Sequence, residues 1–358
     1  MTLWPQAPHT AAKHQILRHY LGAWLPKLAW TREVLMVDGF AGPGEYLGGE
    51  PGSPLVAVSA AKDHTGRLES CEIRFVFIEE DRARYENLEA VVARIELPSH
   101  IHVETVRGTF DAKMTSVLDE IDAAGAKLAP ALVMVDPFGA KGMPIQTLRR
   151  IGAHPKSELL VSLMYEPISR WVGTPEFAPH LDELYGTATW REVGKLETPE
   201  ERRTFMLDLY VSQLRSVVGM GHPSVFELRD SSNRVEYFLI HATHSLDGLK
   251  AIKEAMWKVD PQTGTVFSDA TAGRGQPLFQ LDPDFHLLRS QILARFGGLS
   301  GVPVEHVELY VLTETAFRET HYKRQVLKAL ESEGRVGVSA PASRRRGTFP
   351  PGVRIDFY

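Results

Sequence analysis

The stretch Val34–Gly44, VLMVDGFAGPG, constrains this chain more than any other. Val34 to Val37 read as a short buried strand, which runs into Asp38 and then into a turn carrying Gly39, Gly42 and Gly44. Glycine is used where the backbone needs φ > 0, or where a ligand approaches too closely to leave room for a Cβ. In open α/β sheets the ligand crevice lies at the carboxyl ends of the strands, at a topological switch point. The turn therefore predicts a ligand loop at a strand end, and the plain alternative is a strand-to-helix turn.

The flanking segments favour the ligand loop, because the same grammar repeats along the chain. Ile16, Leu17, Tyr20, Leu21, Trp24 and Leu25 recur at helical spacing, which predicts an amphipathic helix over 11–28. Lys13 and His14 at its start read either as a solvated helix end or as a lid contact to a ligand. The loop continues to Gly52, where Ser53 and Pro54 suit the first positions of a helix through Lys62. A second strand, 73–78, ends in Glu79. An acid at that position is where nucleotide-binding sheets hold a ribose diol. Asp38 and Glu79 stand forty-one positions apart, against about 20 in the dinucleotide fingerprint, so a nucleoside without a pyrophosphate fits better than NAD. A third strand, 101–106, leads to Phe110 and Asp111, which read as base-binding residues or as a helix start with a first-turn acid. The fourth, 131–135, leads to Asp136, Pro137 and Phe138. The fifth, 159–163, runs into Tyr165, Glu166 and Arg170, residues suited to positioning a substrate or to ordinary packing and a surface ion pair. Strands alternating with helices predict an α/β fold with a doubly wound, mostly parallel sheet. Asp38, Glu79, Asp111 and Asp136 would gather at one edge of it.

This domain is expected to occupy residues 1–268, with a helical insertion at about 174–219, a strand at 235–242 and a helix at 246–257. A Gly-rich stretch at 271–277 reads as a linker. A second, small domain spans 280–358. Its helices are expected at 284–296 and 314–333, followed by two short strands flanking PASRRRGTFPPG, the outline of a winged helix. Arg344, Arg345 and Arg346 at the hairpin tip suit phosphate contacts, or are a solvated loop.

Composition narrows the functional classes. A net charge of -5 supplies no global field for nucleic acid, so any such binding needs a local basic patch. A single cysteine, Cys71, excludes an internal disulfide, a four-cysteine zinc site and an iron–sulfur cluster held by this chain alone. The fourteen histidines show no ligand spacing, so no metal site is expected. No apolar run is long enough to cross a bilayer and MTLWPQAPHT has no signal pattern, which together predict a cytoplasmic protein without membrane contact.

Several of these segments carry a resemblance. AAKHQILRHYLGAWLPKL, DGFAGPGEYLGGEPGSPL, FIEED, DPFG, MYEPISRW, FRETHYKRQVLKALESEG and RRRGTFPPG are similar to segments of the three-Cys-motif partner proteins, a bacterial family with a Rossmann-like, S-adenosylmethionine-dependent methyltransferase fold. The resemblance implies S-adenosylmethionine as cofactor, and as partner a radical-SAM-like protein carrying three cysteines. It implies that Asp38, Gly39, Gly42 and Gly44 surround the methionine portion, that Glu79 takes both ribose hydroxyls, and that Phe110 and Asp111 lie near the adenine. DPFG also resembles the D-P-P-[YF] motif of amino-methyltransferases, in which the acid and the next carbonyl accept from an exocyclic amine while the aromatic ring stacks on the base. Here the second proline is missing and Phe138 comes one place early. The expected function is methyl transfer to an amino group of a nucleic-acid base by Asp136, Pro137 and Phe138. Methylation of a small molecule or peptide, and a non-catalytic subunit that binds S-adenosylmethionine, stay open beside it.

Overall fold

The computed structural model describes residues 2–271, 283–340 and 345–358. Arg344 and nearly all of the stretch read as a linker lie outside the described residues. Five strands, β1 (Glu33–Asp38), β2 (Glu72–Glu79), β3 (Ile101–Arg107), β4 (Ala131–Val135) and β5 (Ser157–Leu163), pair in parallel in the order 3-2-1-4-5. Beyond β5 the sheet changes sense. Strand β7 (Val235–Thr243) lies antiparallel to both β5 and β6 (His222–Arg229), and a short β8 (Val266–Ser268) completes eight strands. The single reversed strand, β7, distinguishes this sheet from the six parallel strands of the dinucleotide fold. Between β1 and β4 the connections turn in opposite directions, which puts the switch point beside Asp38.

Helices cover both faces. On one lie α1 (Pro8–Leu28), α2 (Ser53–Lys62), the single turn α3 (Thr65–Leu68), α4 (Arg82–Val92) and, later in the chain, α10 (Leu246–Val259). On the other lie α5 (Phe110–Ala123), α6 (Ile145–Gly152), α7 (Tyr165–Trp171), α8 (Ala178–Tyr185) and α9 (Pro199–Ser216). The expected helical insertion is α8, α9 and the 3-10 turns beside them. The stripe read from the sequence is the buried one: Ile16, Leu17, Tyr20 and Leu21 are fully buried against the sheet. Strands β4 and β5 are buried along their whole length, as a central strand covered on both faces must be. Among the described residues no helix is long and apolar enough to cross a membrane.

The C-terminal unit has its own core. Helix α11 (Phe285–Phe296), α12 (Val304–Glu314) and a helical run, a π-helical turn Lys323–Leu327 continued by α13 (Lys328–Ser332), pack on an antiparallel sheet of β9 (Val302–Pro303), β10 (Val336–Ala340) and β11 (Arg354–Phe357), ordered 10-11-9. The expected helix over 314–333 is therefore corrected. Its first residue, Glu314, ends α12, and 315–320 are bends and turns; α12 itself was missed although Val304, Val307 and Val311 repeat at helical spacing and are buried. Helix α10 joins the two units. Lys253 Nζ donates to the carbonyls of Leu312, Thr315, Phe317 (3.1 Å) and Val311 (3.4 Å), Trp257 Nε1 donates to Ala316 O (3.0 Å), and Glu254 pairs with Arg318.

Candidate functional site

The glycine loop is pinned at both ends to the strand tips around the switch point. Gly39 N donates to Met134 O of β4, Ala41 N to Ile78 O of β2, both at 2.9 Å, and Gly52 N closes on Gly44 O at 2.8 Å. Asn87 Nδ2 of α4 holds Pro43 O at 2.7 Å. Two of the glycines have no substitute. A Cβ on Gly39 would stand 2.3 Å from the Phe110 ring, and Gly42 has φ +63 with open space where its Cβ would point. A left-handed residue with open space beside it leaves room for a ligand against the backbone.

Two acids anchor this loop. Asp38, fully buried, accepts from Ser53 Oγ (2.6 Å) and Phe40 N (3.1 Å). Burial pushes its carboxyl up to about 6, against the pull of those two donors. Glu79, 5% exposed, accepts from Gly42 N and Asp81 N, both at 2.9 Å, and lies 3.5 Å from Arg84 Nε. A carboxylate offers about four acceptor sites, so these contacts orient it and leave capacity for further donors.

Asp38→Asn is expected to stabilise the fold by up to about 3 kcal/mol at pH 7, because about two pKa units at 1.36 kcal/mol each are removed. A carboxyl whose pKa is raised on folding binds its proton more tightly in the folded chain. Its ionisation therefore takes stability away as pH climbs from 4 to 6, and no more above that. Urea unfolding of wild type and variant should show a gap that widens over that window; parallel curves would refute the assignment.

Asp136, after β4, is engaged in a way the sequence did not suggest. Its Oδ2 pairs with Lys13 Nζ of α1, and Lys13 is 4% exposed with its ammonium 5.4 Å from the centre of the Tyr237 ring. Burial would raise the Asp136 carboxyl, but the charge and hydrogen bond of Lys13 outweigh it and hold the group below its ordinary value. Asp136 Oδ1 is buried and makes no hydrogen bond of good geometry, and the Ser162 hydroxyl beside it also helps to hold the carboxyl down. His14 is buried too, and burial, with the Lys13 charge beside it, lowers it to about 3, so the ring is neutral. Gln6 Nε2 lies 3.1 Å from His14 Nδ1. The solvated helix end is thus corrected: both residues face inward, toward the loop and the strand tips. The signal was present in the stripe itself, since Lys13 precedes Ile16, Leu17 and Tyr20 by three, four and seven positions.

Aromatic rings rim the site. Trp4 meets Tyr46 and Phe138 edge-on, at 6.2 and 5.5 Å between centroids, and its carbonyl accepts from Leu47 N at 3.0 Å. Phe138 is 71% exposed, with the Arg84 guanidinium 5.5 Å from its ring centre, while Pro137 is buried. Trp4 and Arg84 were missed; nothing in their local sequence marks them.

Other expected residues sit elsewhere. Phe110 is 1% exposed and forms the floor beneath Gly39 and Phe40, so it offers no face to an adenine. Asp111 Oδ1 accepts from Thr147 Oγ1 of α6. Tyr165 packs on Phe238 at 5.9 Å, and Glu166 pairs with an exposed Arg170 one helical turn on, the packing and surface-pair reading of these residues. Arg345 and Arg346 are exposed and belong to the C-terminal unit.

No protein-family model matches the chain, and no curated protein matches it. Among solved structures it is similar to a protein from Legionella pneumophila at 12% identity, covering 66% of this chain and 85% of that one with a TM-score of 0.37. It is similar also to an O-methyltransferase from Bacillus cereus in complex with SAH, at 12% identity, covering 67% and 82% with a TM-score of 0.34.

Proposed function

We propose that this chain binds S-adenosylmethionine at the tips of β1, β2 and β4 and methylates an amino group of a nucleic-acid base. The observation that carries the reading is the Glu79 carboxylate, buried at the tip of β2 and fixed by Gly42 N–H beside the open space at that glycine. A nucleoside diol needs a fixed two-oxygen acceptor of this kind, and the loop's accompanying Asp38 suits a cationic, phosphate-free ligand. The residue set fits the cofactor. Glu79 would take the ribose hydroxyls, Gly39, Gly42 and Gly44 would line the methionine portion, and Asp38, fully buried behind them, would hold the loop and supply negative charge. When bound, the cofactor supplies a methyl group activated on a sulfonium.

The chain's own contribution is alignment, which can supply about 7–11 kcal/mol of a transfer barrier. Phe138, exposed and edged by Trp4, is a stacking platform for a planar acceptor. We assign Asp136 Oδ1, buried beside the Ser162 hydroxyl, as acceptor for an N–H of the incoming amine, with Lys13 fixing the other oxygen. Asp136 is held as an anion, so it orients the amine more than it removes a proton. The radical-SAM-like three-cysteine partner implied by the resemblance belongs to the same proposal.

Leaving buried hydroxyls unpaired costs about 1–3 kcal/mol. Glu79→Ala should therefore weaken binding of S-adenosylmethionine roughly ten- to a hundredfold. Isothermal calorimetry with S-adenosylmethionine and S-adenosylhomocysteine, on both proteins shown to be folded, tests this. Equal affinities would remove Glu79 from the site, and no heat with either ligand would end the methyltransferase reading.

A further inference from the structure

We infer that the C-terminal unit docks the phosphate backbone of a nucleic-acid duplex on a face built by Arg324, Lys328 and the turn Arg345–Thr348. Charge is divided unevenly along the chain. Residues 283–358 hold eleven Lys and Arg against eight Asp and Glu, although the whole protein is at -5. The rest of the sequence is correspondingly acidic, so the net positive charge that attracts a polyanion lies in this part of it.

The structure gathers part of that charge on one side. Val326, Leu327 and Leu330 turn into the core, while Arg324 and Lys328, one helical turn apart, are exposed on the opposite side of the run. The turn is fastened next to them. Gly347 N donates to Glu331 Oε2 at 2.8 Å, Thr348 N donates to Arg345 O at 3.2 Å, and the stem of Lys328 lies along Gly347, its Cγ 3.3 Å from where a Cβ would stand. Arg345 and Arg346, both exposed, are thereby carried beside Lys328 on a fixed frame. Two neighbouring acids are drawn elsewhere, Glu308 to Lys323 at 3.4 Å and Glu333 to Arg289.

The pattern fits a duplex. Cations from two elements side by side reach successive phosphates, and the exposed Arg324 and Gln325 at the start of the helical run are residue types that pair with base edges. Helix, strand, two helical segments and a two-stranded hairpin are also the order of a winged helix. This names the partner for the acceptor site proposed above, but it rests on the C-terminal unit, and its test involves no cofactor and no transfer.

The experiment is fluorescence anisotropy of the full chain with labelled 20-base-pair DNA and RNA duplexes of mixed sequence, between 50 and 200 mM salt. Binding in the micromolar range at low salt is expected, with log K falling linearly in log salt. Arg345→Glu/Arg346→Glu should weaken it at least tenfold and reduce the slope by about two, and Arg324→Glu should weaken it independently. Thermal unfolding should not change in either variant. Preference for one duplex identifies the natural form. No binding to either duplex at 50 mM salt, or charge-reversed variants that bind like wild type, would overturn the inference, and so would equal capture by a single-stranded control. None of these outcomes touches the calorimetry of the cofactor site.

Discussion

Lys13→Met should destabilise the protein by up to about 3–5 kcal/mol, the range found when one partner of a fully buried ion pair is removed, with the Asp136 side chain here 18% exposed. The Lys13 ammonium and the Asp136 carboxylate meet at the tip of β4, with Lys13 at 4% exposure. Without the cation, Asp136 would remain a largely buried anion with neutral His14 beside it and ionised Asp38 nearby. Chemical denaturation at pH 7 measures the loss. The pH dependence separates the mechanism from a packing defect. In the wild type the Asp136 pKa is depressed on folding, so its stabilising contribution is present above about pH 4 and disappears as pH falls through the folded value. In Lys13→Met burial is opposed only by the weaker pull of the Ser162 hydroxyl and His14 and raises that pKa, so the variant should recover toward wild type in acid. Lys13→Met/Asp136→Leu should regain most of the stability, since a buried pair replaced by apolar groups is often neutral. A double variant as unstable as the single one would show that packing of α1, and not charge, is responsible.

That pair marks the boundary of what the sequence disclosed. The strands were readable because each is a short apolar run followed by a polar tip, and β1, β2, β3, β4, β5 and β7 lie where the runs predict. Strand β6, HPSVFELR, was missed because it alternates weakly and opens on His222 and Pro223. The acids at the tips of β1, β2 and β4 were likewise local: Asp38, Glu79 and Asp136 each end an apolar run, and the parallel order brings them to one edge. Direction along a strand is enough to predict that. What a side chain meets across the fold is not. Lys13 reaches Asp136 over 123 positions, and Trp4 meets Phe138 from an irregular N-terminal segment, so neither contact leaves a periodic trace. Phe110 shows the opposite failure. Its place at a loop after β3 was legible, but only the close approach of Gly39 reveals that the ring is a floor and not a ligand surface.

Lys253→Met should cost about 2–5 kcal/mol and split the unfolding of the molecule in two. Lys253 is 4% exposed, and its ammonium serves carbonyls at the end of α12 and in the segment after it, groups that have no other intrahelical donor. Burial pushes the group down in pKa, to about 7, while the charges of Glu319 and Glu314 favour the proton. Methionine keeps most of the stem's volume and supplies no donor, so buried carbonyls of Leu312, Thr315 and Phe317 would go unpaired at roughly 1–3 kcal/mol for each that cannot find water. The effect is concentrated at one junction, because Trp257 and Glu254 of the same helix make the neighbouring contacts to Ala316 and Arg318. Differential scanning calorimetry should therefore resolve an early transition for residues 283–358 ahead of the main sheet, where the wild type unfolds in one. Trp257→Phe, which keeps the ring in the C-terminal core and removes only the indole N–H, should cost about 1 kcal/mol and leave a single transition. A Lys253→Met protein that still melts in one step, within about 1 kcal/mol of wild type, would mean that the two units are held by their apolar contact and that the lysine merely fills the junction.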